Sequence, residues 1–395
     1  MAPPRPNRWF VRNVNVRGLA GREKTFECNL NPDVNVFFGR NGSGKTTLLR
    51  IIHSALSGDA LPLFGSPFES AKVEIWFPAE HRRVVKSFTM PSDEESETIR
   101  KDPAFRRHIE RMPLSQRRKY FPQGALWETI HDTSSRPRAP RSFPHRYLPT
   151  SRIMDELSSP DSPRELSREW SMDEYFADSI QRLWSHYSTE VLGAVRKAQE
   201  DGLARILQGV ISPAQTGSGD SLTFDPDTAF WRVDRFLRRQ GSPHLIQDKD
   251  TFDIRFASEP AFKRVVLEIN EVEEKIEFAL LPRTKLATLV SRLISGPKQI
   301  SFENSQIRAL AKGSKEISLD RLSSGEKQLI RILVEVLSAS GHPLIIDEPE
   351  LSMHVDWQLV LVESIQTIDD STQVIAATHS PEIMANISDE KIFRL

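Results

Sequence analysis

The sequence predicts an α/β fold with a mixed central sheet and an inserted, mainly helical subdomain. Three observations carry that prediction. The segment NVFFGRNGSGKTTLLRII places a strand, Val34–Phe38, and the start of a helix, residues 46–52, on either side of a glycine-rich turn. Near the far end, PLIIDEPELSMH sets an apolar run, residues 344–346, directly before two adjacent carboxylates. Such a run reads as a strand buried on both faces. Between these segments, from Asp173 onward, apolar residues recur at helical spacing.

Bulk properties narrow the class. A chain of 395 residues can form one large domain or two smaller ones. With 53 basic against 54 acidic residues it is no polycation, so any nucleic-acid surface must be local. Cys28 is the single cysteine, which excludes a disulfide framework and a cysteine-based zinc site. MAPPRPNRWF lacks the apolar core of a signal peptide, and no run of about 18 apolar residues occurs. A cytoplasmic globular protein without a membrane partner is the expectation.

The glycine turn is the first chemical element. Gly39, Arg40, Asn41, Gly42, Ser43, Gly44, Lys45 and Thr46 fit G-x-x-x-x-G-K-[ST], and Thr47 follows. Glycines let backbone N–H groups converge on phosphate oxygens, and the helix N-terminus adds its positive end. Lys45 would reach the β- and γ-phosphates of ATP, and the Thr46 hydroxyl would hold Mg²⁺. A chance glycine turn would not need a strand before it and a helix after it. The acidic pair then acquires a reason, since buried adjacent like charges require compensation. Asp347 would bind the Mg²⁺, and Glu348 would accept a proton from the attacking water. By itself the pair also fits a helix-capping Asp beside a solvated Glu.

A second helix start, LSSGEKQLIRILVEVL at 322–337, presents Ser323, Ser324, Gly325 and Glu326. It reads as another anion-binding N-terminus or as a capped helix start. Further on, QVIAATHSPEIMANI gives a strand at 374–377 with His379 beyond its end. Its imidazole could contact the γ-phosphate or orient the water.

Together these residues resemble the ABC-type P-loop ATPases, with the 322–326 turn similar to their signature motif and His379 to their switch histidine. The resemblance implies a head-to-tail homodimer, or a higher homo-oligomer, in which the signature of one subunit closes over the ATP held by another. Lys45, Glu348 and His379 are then the catalytic set. Within the family, DEPELSMHVDWQ carries His354 where transporter subunits have Asp, and looks like the E-x-S-L-H-x-x-x-Q wording of the OLD-like and RecF/SMC-like branch. RYLPTSRI resembles the Y-[IL]-P-x-x-R segment of that branch. Other members place a glutamine near there, and Ser151 or Arg152 stands in for it here. The resemblance covers residues 10–90 and 298–395 well.

The middle of the chain is matched only in general character. AKVEIWF and RRVVKSFTM alternate as paired strands. An arginine-rich insertion near 91–145 leaves three readings open: a nucleic-acid surface, a contact for an acidic partner protein, or solvated charge. An apolar stripe follows, with Phe176, Ile180, Leu183, Tyr187, Val191, Val195, Leu203, Ile206 and Leu207. Further helices are expected at 227–240 and from Arg264, with a flexible linker at 212–221. Sustained heptads are missing, which favours a compact helical lid. The expected organisation is 1–152 and 298–395 as the two parts of an ATPase domain around an insertion at 153–297.

After His379 the expectation is one strand, KIFRL, and no nuclease domain, so effector chemistry would belong to another protein. The chain resembles stand-alone ATPases of bacterial anti-phage systems of the Septu, PARIS and retron-associated types. That resemblance implies an ATP-driven sensor or scaffold controlling a separate nuclease or toxin. The alternative is a RecF/SMC-like DNA-repair ATPase that binds DNA through the arginine-rich insertion.

Overall fold

Residues 9–92, 109, 112, 114–117, 126–132, 141–150, 171–211, 225–239, 241–242, 248–296, 298–303, 305–311 and 315–395 are described by the computed structural model. Ser151, Arg152, the 212–221 linker and most of the arginine-rich insertion lie outside them.

Short apolar strands form a five-stranded sheet in the order β13 (Ile392–Arg394), β3 (Val34–Phe38), β12 (Val374–Thr378), β11 (Leu344–Asp347), β7 (Arg146–Leu148). Every pairing in it is parallel. Residues of β11 and β12 are buried throughout, as expected of strands covered on both faces. The register aligns Leu344 with Val374 and Val374 with Val34, so the three central strands end at one edge. The segments leaving that edge carry the glycine turn, His379 and Glu348. Ligands of open parallel sheets bind at this edge.

Antiparallel pairing is confined to other sheets. One has the order β2 (Phe26–Asn29), β1 (Phe10–Arg17), β4 (Ser70–Phe77), β5 (Arg82–Thr89), β6 (Glu128–Asp132). The two strands read from alternation pair from Ser70↔Thr89 to Phe77↔Arg82. Helix α1 (Lys45–Ser57) joins the two sheets into one core. Its Leu48, Leu49, Ile52 and Leu56 belong to the same buried cluster as Val14, Val16, Val73 and Ile75 of the antiparallel sheet and Phe37, Ile345 and Ile375 of the parallel one. A third, three-stranded sheet comprises β8 (Lys298–Phe302), β9 (Ile307–Ala311) and β10 (Lys315–Ile317). Trp184, fully buried, packs on Phe302 and donates its indole N–H to the Glu303 carbonyl at 2.7 Å.

Residues 185–284 form a second compact unit, in which the elements among the described residues are helices. Its core is Val233, Phe236, Phe252, Phe256, Val266, Ile269, Val272 and Ile276. The contributing helices are Met172–Ile211, Pro226–Arg239, Lys249–Ser258 and Pro260–Leu293. Lys249–Ser258 had no counterpart in the sequence reading, although Asp248 caps it by accepting from Thr251 N–H and Phe252 and Phe256 share a face. One part of the apolar stripe is corrected. Leu203 and Leu207 are 54% and 51% exposed. At that turn the tight contact is made by Gly202, where a Cβ would lie 2.0 Å from Val272. The helices approach through that gap, which rotates Leu203 and Leu207 outward.

A histidine pair joins helix α1 to the segment that enters β7. His145 Nδ1–H donates to the Phe143 carbonyl at 2.8 Å, so its Nε2 accepts from His53 Nδ1–H at 2.7 Å. Burial pushes His53 down to about 3 and His145 down to about 4, so both rings are neutral when folded. An unfolded chain would protonate them near 6.5. Stability is therefore fully present above pH 6.5 and falls as the pH drops from there toward 4. The slope is about 1.4 kcal/mol per pH unit per ring. Melting temperature measured between pH 7.5 and 5 should decline, and decline less in His53→Asn, whose amide can replace the Nδ1 donor. An identical slope in the variant would refute the neutral pair.

Candidate nucleotide-binding site

The glycine turn between β3 and α1 is shaped by backbone that side chains would disturb. Gly42 and Gly44 take φ of 79° and 96°, in the left-handed region. At Gly39 a Cβ would lie 2.7 Å from the Leu395 carbonyl and 2.8 Å from Ser43 Oγ. Among the described residues that buried Ser43 hydroxyl has no hydrogen-bond partner. Arg40 and Asn41 are exposed at the crest, and Thr46 and Thr47 follow in the first turn of α1. A turn with left-handed glycines, a helix N-terminus and an orphaned hydroxyl fits a phosphate chain.

Lys45 is buried and folds back over this turn. Its Nζ donates to the carbonyls of Gly39 at 2.9 Å and Arg40 at 3.3 Å, and lies 2.7 Å from His379 Nε2. An ammonium can only donate, so Nε2 is the acceptor and His379 carries its proton on Nδ1. Burial lowers the Lys45 pKa, opposed by the nearby charges of Glu348, Asp347 and Glu350. The cation thus stands among three carboxylates.

Asp347 ends β11 and is fully buried; its Oδ2 accepts from Thr150 Oγ1 at 2.8 Å. Glu348 has φ of 47°, a conformation that disfavours an L-residue by about 1–2 kcal/mol. Its N–H extends the ladder to the Ala377 carbonyl at 2.8 Å, while Oε1 lies 3.6 Å from His379 Nε2. The left-handed step turns the chain so that Glu350 returns to the end of β12, where its Oε1 accepts the His379 N–H at 2.7 Å. A hard, oxygen-only set of Thr46 and Asp347 suits Mg²⁺ brought with phosphates. Among the described residues no cluster of three or more His, Cys, Asp or Glu could hold a metal alone.

The 322–326 turn has different partners. Ser323 caps helix Ser324–Ala339 in a capping box, accepting from Glu326 N–H at 3.3 Å while its own N–H donates to Glu326 Oε2 at 2.7 Å. The Glu326 carboxylate is also paired with Lys298 at 2.8 Å, so it is committed to the cap. Ser323 and Ser324 are exposed, whereas Gly325 is buried against the following loop. A Cβ there would lie 2.6 Å from the Ser352 carbonyl and 3.3 Å from Trp357. His354 caps helix Val355–Ile368.

Lys45, Glu348 and His379 therefore meet at one sheet edge, and Ser323–Gly325 offer an exposed helix start set on the Ser352 loop. Two residues of the site were not singled out from sequence. Thr150 lay inside RYLPTSRI beside the residues that were, and Glu350 lay inside DEPELSMH without a role. Their partners, Asp347 and His379, are remote in the chain and gave no local signal.

A lysine-bearing phosphate turn, an acidic pair and a histidine at the carboxyl edge of a parallel sheet define an ABC-type ATPase domain. The chain belongs to the family described as AAA domain, putative AbiEii toxin, Type IV TA system, whose model matches residues 34–385. It is 28% identical over 138 residues to the Retron Vc95 probable ATPase of Vibrio cholerae serotype O1 biovar El Tor, a match spanning 31% of this chain and 27% of that protein. The Smc head domain with an extended coiled coil bound to the C-terminal domain of ScpA from Pyrococcus furiosus superposes with a TM-score of 0.42 at 13% identity, covering 96% of this chain and 92% of that one. The SMC head domain from Thermotoga maritima gives 0.38 at 11% identity, covering 95% and 91%. Among the described residues no helix is long and apolar enough to cross a membrane.

Proposed function

We propose that the chain binds and hydrolyses ATP between two copies of itself and uses that cycle to control a separate effector, a nuclease or toxin, in anti-phage defence. The observation that carries the proposal is the convergence of Lys45, His379 and Glu348 within 2.7 and 3.6 Å at the phosphate turn. Lys45 would exchange the Gly39 and Arg40 carbonyls for β- and γ-phosphate oxygens. Thr46 and Asp347 would hold Mg²⁺, which supplies charge neutralisation at the phosphates. Glu348 would take the proton of the attacking water, and His379, released from Lys45, would face the γ-phosphate.

The exposed helix start at Ser323 and Ser324 supports a site completed by a second subunit, because the capping box takes the N–H groups of Ser323 and Glu326 and leaves those of Ser324 and Gly325 outside it. The defence role is favoured by the family description and by the retron ATPase relative.

Ser323→Arg should leave ATP binding by the monomer intact and abolish hydrolysis. Since Ser323 also caps its helix, at about 0.5–2 kcal/mol, Ser324→Arg is the companion that keeps the cap. Both variants should bind a fluorescent ATP analogue normally and fail to turn over ATP. Mixing either with Lys45→Ala should restore activity, because the mixed dimer contains one complete site. Normal hydrolysis by the arginine variants, or no recovery on mixing, would refute a signature acting in trans.

A further inference from the structure

We propose that Glu350 is a positioning residue of this site, holding the backbone of the histidine-bearing loop at the distance from Glu348 and Lys45 that hydrolysis requires. The inference rests on the proposed ATPase reading and adds a residue to it. Its basis is the way the acidic turn is folded. Glu348 adopts the left-handed conformation and Pro349 fixes the next φ, so Glu350 is carried back over the end of β12. There its Oε1 accepts the His379 N–H at 2.7 Å, joining segments 29 residues apart. That amide is the first beyond β12, where the ladder no longer supplies a partner. Oε2 of the same carboxylate is buried without a hydrogen-bond partner among the described residues.

The flanks of His379 are also held. Ser380 N–H donates to Thr378 Oγ1 at 2.9 Å, and Ser380 Oγ donates to Gln358 Oε1 at 2.7 Å. With its backbone fixed on both sides and through Glu350, His379 retains only side-chain rotation. The imidazole stands 2.7 Å from Lys45 and 3.6 Å from Glu348. Once Lys45 turns to phosphate, the ring loses its nearest partner and its place is set by the backbone alone. A carboxylate that fixes that backbone therefore sets the ring. Glu350 touches no reacting atom; its hydrogen bond reaches the site through His379, and its charge lies near Lys45.

Two variants separate geometry from charge. Glu350→Gln keeps an oxygen acceptor for the His379 amide, and Glu350→Ala removes it. The expected result is that Glu350→Ala lowers kcat by about 10²-fold, the scale of an ångström-sized misplacement. The KM for ATP should agree within about twofold between the two variants, since both remove the same charge near Lys45. Glu350→Gln should recover most of that loss. Backbone amide exchange of His379 should accelerate in Glu350→Ala and not in Glu350→Gln, a readout that does not depend on turnover. Unchanged exchange in Glu350→Ala overturns the proposal whether or not the chain hydrolyses ATP. So do wild-type kcat in Glu350→Ala, loss of ATP binding in that variant, or a Gln variant as impaired as the Ala variant. An inactive wild type with the exchange pattern intact would instead refute the ATPase reading and leave the contact established.

Discussion

Glu348→Gln is expected to lower ATP turnover by roughly 10²–10⁴-fold while leaving ATP bound, so that a closed dimer accumulates. The substitution is nearly isosteric, and the left-handed backbone at this position is no more strained for Gln than for Glu. The 3.6 Å separation from His379 Nε2 can be kept, but an amide cannot take a proton from water. Lys45, Thr46 and the glycine turn are untouched, so the ground-state grip on the nucleotide persists. Removing one of three carboxylates beside Lys45 also relieves repulsion toward the phosphates. The expected signature is a stable dimer with ATP, detected by light scattering, beside a hydrolysis rate near background. Near-normal turnover would remove Glu348 from the role of base, and Asp347, already engaged by Thr150, would not easily replace it.

What was legible in the sequence was chemistry carried by contiguous residues. The strand, glycine turn and helix around Lys45 are encoded within residues 34–57, where each φ requirement is written as a glycine. The strand pair Ser70–Phe77 and Arg82–Thr89 was legible for the same reason, since alternation and a four-residue separation fix its register locally. The capping box at Ser323 and Glu326 spans four residues. Less accessible was the division of parallel and antiparallel pairing between separate sheets. The order β13, β3, β12, β11, β7 joins strands far apart in the chain, and nothing in a buried apolar run names its neighbour.

The same limit explains the site residues that went unread. Thr150 meets Asp347 across 197 residues, because β7 pairs with β11 in a register that only the folded sheet defines. Glu350 looked like an ordinary polar residue until a left-handed step at Glu348 turned it onto the His379 amide. Helical periodicity predicted Phe176, Ile180 and Tyr187 as buried, which they are. It failed at Leu203 and Leu207, where a glycine rather than a large side chain makes the helix contact. Spacing reports an apolar face, and close approach through Gly202 shifts that face by part of a turn.

Lys45→Ala is expected to abolish measurable nucleotide binding, the second large effect. The lysine would contribute a charged contact to the β- and γ-phosphates in a buried site. Truncating one side of such a pair disfavours binding by about 2–5 kcal/mol, or roughly 30- to several-thousand-fold in affinity. A further consequence follows from the carboxylates around it. Without the ammonium, the charges of Asp347, Glu348 and Glu350 lose the cation that stands among them, so like-charge repulsion toward the incoming triphosphate adds to the lost attraction. His379 also loses its 2.7 Å partner, and the Gly39 and Arg40 carbonyls lose their donor. Lys45→Arg tests the geometry separately, because a planar guanidinium keeps the charge but cannot occupy the compact space between two carbonyls and an imidazole. Calorimetric titration with ATP should therefore give no resolvable heat for the Ala variant and weak binding for the Arg variant, while Glu348→Gln binds at least as tightly as wild type. Wild-type affinity in Lys45→Ala would mean that the glycine turn does not hold the phosphates, and neither the acidic pair nor a second subunit would then have a triphosphate to act upon.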